Sequence, residues 1–161
     1  MILDVDGVLS PPKILMSPSG EIIKEFNIYD GLGLQLLQNT GIKLALISGR
    51  KSRAVEIRAS EIGIKHVFQG VEDKLVPFKK LLTQLKIEAS ETVSIGDDLP
   101  DLPLLKRCGV SVTVPHASKL VRESVDYISQ LPGGEGAVRE ICELIMRAQG
   151  TLKQQLQHYI K

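Results

Sequence analysis

The sequence predicts an α/β fold built on a mostly parallel central sheet. Three observations point there. Short runs rich in Val, Ile and Leu alternate with segments of helical period, the pattern of repeated β-α-β units. Most of those runs lack a clean in-out alternation, as expected for strands buried on both faces. Gly41, Gly63 and Gly150 stand just after helix-like stretches, where a left-handed terminating residue belongs.

In chain order, the first strand is expected at residues 1–5, and it is unusually short because an acidic motif begins at Asp4. Residues 13–28 break the rhythm. Two β-like runs, 14–16 and 22–27, flank Ser17-Pro18-Ser19-Gly20, which is turn chemistry, so a projecting β-hairpin is expected. A lone two-stranded hairpin is marginal in water, so this one is expected to pack against something else, such as another subunit. Helices are expected at 33–39, 53–62, 75–85, 102–108, 119–124 and 137–149. The remaining strands are expected at 43–48, 66–69, 92–96, 110–114 and 126–128. Ser90 and Ser118 read as caps or turn starters. The tail, 151–161, is polar, with Gln154, Gln155 and Gln157, and reads as a helical continuation or a loose end. No internal repeat stands out, and residues 1–161 are expected to form a single domain.

Composition narrows the function class. Hydrophobic residues make up 43% and charged residues 24%, with a formal net charge of +1. That balance argues against a nucleic-acid or membrane surface held by bulk charge. Aromatic content of 4% with no Trp argues against base-stacking platforms. No apolar run is long enough to span a bilayer and no cleavable leader is apparent. Cys108 and Cys142 lie in apolar surroundings and read as reduced core thiols. His66, His116 and His158 lack metal-ligand spacing and carry no assigned role.

Four clusters carry chemistry. Asp4-Val5-Asp6-Gly7-Val8 ends the first strand, and ligands of open α/β sheets bind at carboxyl strand ends. Period-two spacing sends Asp4 and Asp6 to one side. Two carboxylates that close call for a proton or a cation between them. Gly7 lets the backbone approach a ligand, and the N–H groups that follow can face an anion. Ile47-Ser48-Gly49-Arg50 ends a second strand and offers a hydroxyl and backbone donors to a phosphate oxygen. Lys74 precedes a helical segment and can neutralise phosphate charge there. Gly96-Asp97-Asp98-Leu99-Pro100-Asp101 follows a third strand and suggests a hard-cation site, because Mg²⁺ prefers oxygen ligands. Together the clusters supply a nucleophile, a proton carrier, phosphate donors, a cation and a metal ligand. That is the set needed for phosphoryl transfer through an aspartyl phosphate.

These residues, in this order, resemble the four motifs of the haloacid dehalogenase superfamily of phosphatases. Longer strings narrow the resemblance to its 3-deoxy-D-manno-octulosonate 8-phosphate phosphatase family. They are Phe26-Asn27 with Asp30-Gly31-Leu32-Gly33, Ser48-Gly49-Arg50-Lys51-Ser52, Gln69-Gly70 before Asp73-Lys74, and Gly133-Gly134-Glu135-Gly136-Ala137-Val138-Arg139-Glu140. The resemblance implies a Rossmann-like three-layer α/β/α domain without a large cap, assembled as a cytoplasmic homotetramer whose hairpins form a central barrel. It implies Mg²⁺ as cofactor, bound by the Asp4 carboxylate, the Asp6 backbone carbonyl and Asp97. It implies Asp4 as nucleophile and Asp6 as acid and base, with Gly7, Ser48, Gly49 and Lys74 around the phosphate. Arg50 and Lys51 would face an acidic sugar phosphate of lipopolysaccharide synthesis. Asp98 and Asp101 would orient Lys74 or a metal-bound water.

The chain departs from the family pattern at Ser10-Pro11-Pro12, at Tyr29 and at Glu135, whose negative charge would oppose an acidic substrate if it faced the site. Three other readings stand beside this one. A nine-carbon sialic-acid-type 9-phosphate would need the same chemistry, and Arg50-Lys51-Ser52 favours the eight-carbon sugar. A receiver-like phospho-switch would need an Asp in the 66–69 strand, which has none. A non-catalytic oligomerisation domain would not need Asp4, Asp6, Ser48, Lys74 and Asp97 intact.

Overall fold

The structure, a computed structural model, describes residues 1–160; Lys161 and the side chain of His158 lie outside the described residues. Its centre is a six-stranded, all-parallel sheet. The strands are β1 (Ile2–Leu3), β4 (Ala45–Ser48), β5 (His66–Gln69), β6 (Val93–Ile95), β7 (Val110–Thr113) and β8 (Tyr127–Ile128), in the spatial order β5-β4-β1-β6-β7-β8. β1 pairs with β4 on one side and β6 on the other. The helices are α1 (Ile28–Asn39), α2 (Arg53–Ile62), α3 (Leu75–Leu85), α4 (Leu102–Leu105), α5 (Lys119–Arg122), α6 (Ala137–Ala148) and α7 (Leu152–Leu156).

Three layers follow from the side chains of single strands. Leu3, Leu46 and Ile95 join one core with α1, α2 and α6. Their neighbours Ile2, Ala45 and Ile47 join the other core with Phe78 and Leu81 of α3 and Leu104 of α4. Strands that feed two cores must be apolar at consecutive positions, which explains the missing alternation in the sequence. No helix among the described residues is long and apolar enough to cross a membrane.

The elements expected from sequence are present, with corrected boundaries. Helix α1 begins at Ile28, five residues before the expected start. Asn27 caps it, its Oδ1 accepting from the backbone N–H of Tyr29 at 2.8 Å and of Asp30 at 3.4 Å. Gly31 and Gly33 hid this first turn, since each weakens a helix by about 1 kcal/mol. Packing overrides that cost. A Cβ at Gly33 would sit 2.8 Å from Cδ of Arg139 and 3.1 Å from its Cα, so only glycine lets α1 approach α6 this closely. Helices α4 and α5 are shorter than expected; a 3₁₀ turn, Leu99–Asp101, precedes α4. Ser118 occupies the position before α5, yet its side chain makes no capping bond; its backbone N–H donates to Asp97 O at 3.0 Å instead. Ser90 lies inside a 3₁₀ turn, Ala89–Glu91, which Glu88 starts. In the tail, Leu152–Leu156 forms α7 and Gln157–Tyr159 a 3₁₀ turn, with Leu152 and Leu156 against the main core. Both cysteines are free, Cys142 buried and Cys108 half-buried.

The hairpin forms as β2 (Leu15–Met16) and β3 (Ile22–Ile23), antiparallel, with Leu15 opposite Ile23 and Met16 opposite Ile22. All four side chains are exposed.

Asp30 ties α1 to α6: its Oδ1 accepts the Arg139 backbone N–H at 2.7 Å, while its Oδ2 is buried without a hydrogen-bond partner. Burial pushes the Asp30 carboxyl up to about 6, against the pull of the nearby N–H groups and of Arg58 and Arg139. The folded chain therefore holds this proton more tightly than the unfolded one. The associated stability is full below pH 4 and is lost as pH rises through 6, an amount of about 3 kcal/mol. Asp30→Asn is expected to flatten that part of the stability-pH curve, read from urea unfolding between pH 4 and 7. An unchanged slope would remove Asp30 as its source.

Candidate active site

The carboxyl ends of β1, β4 and β6 open into one pocket of about 350 Å³. Asp4, Asp6, Ser48, Gly49, Arg50, Lys74, Asp97, Asp98 and Asp101 all line it. The four sequence clusters thus meet in space, because parallel strands send their ends to one edge of the sheet.

Asp4 extends β1 and is anchored by its backbone N–H on Ile95 O of β6, at 2.9 Å. The loop after it is tightly wound. Leu9 and Ser10 both donate their N–H groups to Val5 O at 2.9 Å, and Gly7 donates to Ser10 O at 3.0 Å. The Gly7 N–H is thus used inside the loop. The position also requires glycine. Its φ is +87°, and a Cβ there would fall 2.0 Å from Oδ2 of Asp97. Behind the loop lies the glycine-rich segment. Gly134 donates to Val8 O at 2.9 Å, and a Cβ on Gly133 would strike Gly7 O at 1.8 Å.

Lys74 is the electrostatic centre. Its side chain is 5% exposed, and its Nζ donates to Asp4 Oδ1 at 2.7 Å and Asp101 Oδ1 at 2.6 Å. Burial alone would lower its pKa, but the carboxylates of Asp4 and Asp101 raise it above the usual lysine value, so the ammonium stays charged. Asp101 is used at both oxygens: its Oδ2 accepts the backbone N–H groups of Asp97 at 3.1 Å and Asp98 at 3.3 Å. Gly96 permits this fold-back, since a Cβ there would sit 2.4 Å from Cβ of Asp101.

The carboxylates outnumber the lysine. Oxygens of Asp4, Asp97 and Asp101 lie within 4.8 Å of one another. Burial, then the charge of Asp101, pushes Asp4 up to about 6, with Lys74 opposing. Burial, then repulsion from Asp4, Asp101 and Asp98, pushes Asp97 up to about 7. An all-oxygen donor set with surplus negative charge suits a hard divalent cation such as Mg²⁺. Asp101 already has both oxygens engaged, which leaves Asp4 and Asp97 as the freer ligands. The Asp6 carboxylate is not part of the trio.

Ser48 ends β4 with its hydroxyl buried, accepting the Arg50 N–H at 3.3 Å. Arg50 is exposed at the pocket rim. Lys51 does not join the pocket: its methylene stem lies where a Cβ on Gly70 would be, 2.5 Å from its Cε. Glu135 lines a neighbouring cavity of about 390 Å³ together with Lys13, Lys24 and Glu25, not the pocket that holds Asp4. Two contacts were not read from the sequence. His116 Nε2 lies 3.0 Å from Gly7 O, bracing the loop, and Lys24 of the hairpin pairs with Asp6 Oδ1.

Comparison with known proteins adds an independent line. The family profile of haloacid dehalogenase-like hydrolases matches residues 67–141. The chain is 44% identical over 152 residues to the 3-deoxy-D-manno-octulosonate 8-phosphate phosphatase KdsC of Escherichia coli K12, covering 94% of this chain and 81% of that protein. It is similar to the Moraxella catarrhalis 3-deoxy-D-manno-octulosonate 8-phosphate phosphatase solved with a magnesium ion, a phosphate ion and a KDO molecule. There the TM-score is 0.96 and the identity 44%, over 98% of this chain and 91% of that one. The cobalt-bound deoxy-D-mannose-octulosonate 8-phosphate phosphatase of Haemophilus influenzae superposes with a TM-score of 0.92 at 37% identity, over 99% of this chain and 95% of that one.

Proposed function

This chain belongs to the haloacid dehalogenase-like hydrolases and, within them, to the 3-deoxy-D-manno-octulosonate 8-phosphate phosphatases; from that membership we propose that it hydrolyses 3-deoxy-D-manno-octulosonate 8-phosphate to the free sugar acid and phosphate. The observation that carries this reading is the Lys74 ammonium bridging Asp4 and Asp101 beside Asp97, next to Asp6.

Each residue then has a task. Asp4 attacks phosphorus, forming an acyl phosphate as the bond to the sugar oxygen breaks. Asp6 gives its proton to that oxygen and later takes one from the water that opens the aspartyl phosphate. Ser48, the Gly49 N–H and Lys74 hold the phosphoryl oxygens while charge redistributes among them. Asp101 fixes Lys74 and the Asp97-Asp98 backbone, and Asp98 shares the pocket wall. Arg50, at the rim, suits a sugar carboxylate because its fork binds two oxygens at once. A Mg²⁺ held by Asp4, Asp97 and the Asp6 carbonyl would, when bound, offset repulsion between the Asp4 carboxylate and the phosphate dianion.

In this reading the 161 residues act as one domain in the cytoplasm, supplying the acidic sugar of outer-membrane lipopolysaccharide. The exposed Leu15, Met16, Ile22 and Ile23 of the hairpin support assembly as a homotetramer. The test is phosphate release with Mg²⁺ from the eight-carbon 8-phosphate and from a nine-carbon sialic-acid-type 9-phosphate. Faster turnover of the eight-carbon ester is expected, with loss of activity on chelation. Faster turnover of the nine-carbon ester would overturn the substrate, and no release from any sugar phosphate would overturn the reaction.

A further inference from the structure

Lys24 stands one residue beyond β3, in a hairpin whose other arms are exposed, yet its own side chain is only 6% exposed. A lysine is seldom buried without a partner, because the ammonium loses its hydration. Here the partner is Asp6 Oδ1, which Lys24 Nζ contacts directly. Asp6 itself is 26% exposed and lines the reaction pocket, whereas Lys24 lines the adjoining cavity with Lys13, Glu25 and Glu135. Lys13 lines both cavities, so the two adjoin. The trio Asp4, Asp97 and Asp101 does not include Asp6. One side of the pocket thus holds the acids around Lys74, and the other holds Asp6 under a second lysine.

We infer that Lys24 is a positioning residue for Asp6: it holds one carboxylate oxygen and leaves the other free to exchange a proton with the sugar oxygen. In the first step a bond forms between Asp4 and phosphorus and the phosphorus–oxygen bond to the sugar breaks. The Asp6 proton passes to that oxygen, and a full negative charge is left on Asp6, facing the Lys24 ammonium. The lysine is therefore worth most where the leaving group needs a proton. This inference rests on the phosphatase reading above.

The test compares leaving groups in the full-length protein with Mg²⁺. An alkyl sugar phosphate needs the proton; p-nitrophenyl phosphate, whose phenolate leaves unaided, does not. In Lys24→Met, single-turnover cleavage of the sugar phosphate is expected to fall by about 10- to 100-fold. The first-turnover burst of nitrophenolate is expected to stay within about threefold of the parent, which also reports that the pocket is intact. Lys24→Gln, which keeps an N–H donor without the charge, carries the same test should the methionine variant fail to fold, with a smaller loss in the same pattern. Equal losses on both substrates, or no loss on either, would overturn the inference. Failure of the parent to cleave the sugar phosphate at all strikes the proposed substrate instead, and the leaving-group comparison then runs on whichever alkyl phosphate the parent turns over.

Discussion

Asp4→Asn loses turnover by more than about 10⁴-fold and keeps its fold; this is the largest effect expected. The amide is nearly isosteric, and the backbone N–H on Ile95 O that anchors residue 4 is untouched. What disappears is the attacking oxygen anion. No neighbour replaces it: Asp6 is paired with Lys24, Asp101 has both oxygens engaged, and Asp97 belongs to a different strand end. Steady-state phosphate release at saturating Mg²⁺ measures the loss, and circular dichroism checks the fold. Activity near that of the parent would refute Asp4 as nucleophile.

Lys74→Met is expected to damage both stability and rate. The methionine stem fills similar volume, so the change isolates the charge. Two buried carboxylates, Asp4 and Asp101, lose the ammonium that contacts each, and breaking a buried pair from one side costs about 3–5 kcal/mol. Turnover falls by about 10²- to 10³-fold, because a preorganised cation beside the phosphoryl oxygens is gone. Mg²⁺ should raise the unfolding midpoint of this variant more than that of the parent, since the surplus of carboxylates is larger. Urea unfolding with and without Mg²⁺ reads this difference. A destabilisation under about 1 kcal/mol would mean that Lys74 is less important to the pocket than its contacts imply.

Asp4, Ser48 and Asp97 were legible in the sequence because each stands at the end of an apolar run, and a parallel sheet brings such ends to one edge. Lys74 was legible for a related reason, as the residue before a helix that enters the same edge. Lys24 was not legible. Its contact with Asp6 depends on the hairpin folding back over the first loop, and Ile22-Ile23-Lys24-Glu25 carries no periodic sign of that. The bond from the Gly7 N–H to Ser10 O was not legible either, because it depends on how the loop winds after Asp6. The first turn of α1 was missed because two glycines look unfavourable until the closeness of Arg58 of α2 to Gly31 and of Arg139 of α6 to Gly33 is known. The misses at Lys24 and at α1 share one origin: a contact between distant segments outweighed the local preference.

The central place of β1 bears on how the molecule comes to exist. Ile2 pairs with Ala45 and with Ser94, so the strand that presents Asp4 is enclosed only by segments synthesised much later. Loop closure of that length must precede any gain from pairing, which slows folding in topologies of this kind. During translation, the nucleophile waits without its second flanking strand until Val93–Ile95 has left the ribosome. Fragments that stop short of β6 would carry Asp4, Asp6, Ser48 and Lys74 yet have no working site. Catalytic competence here cannot precede the docking of β6, which closes the sheet around β1.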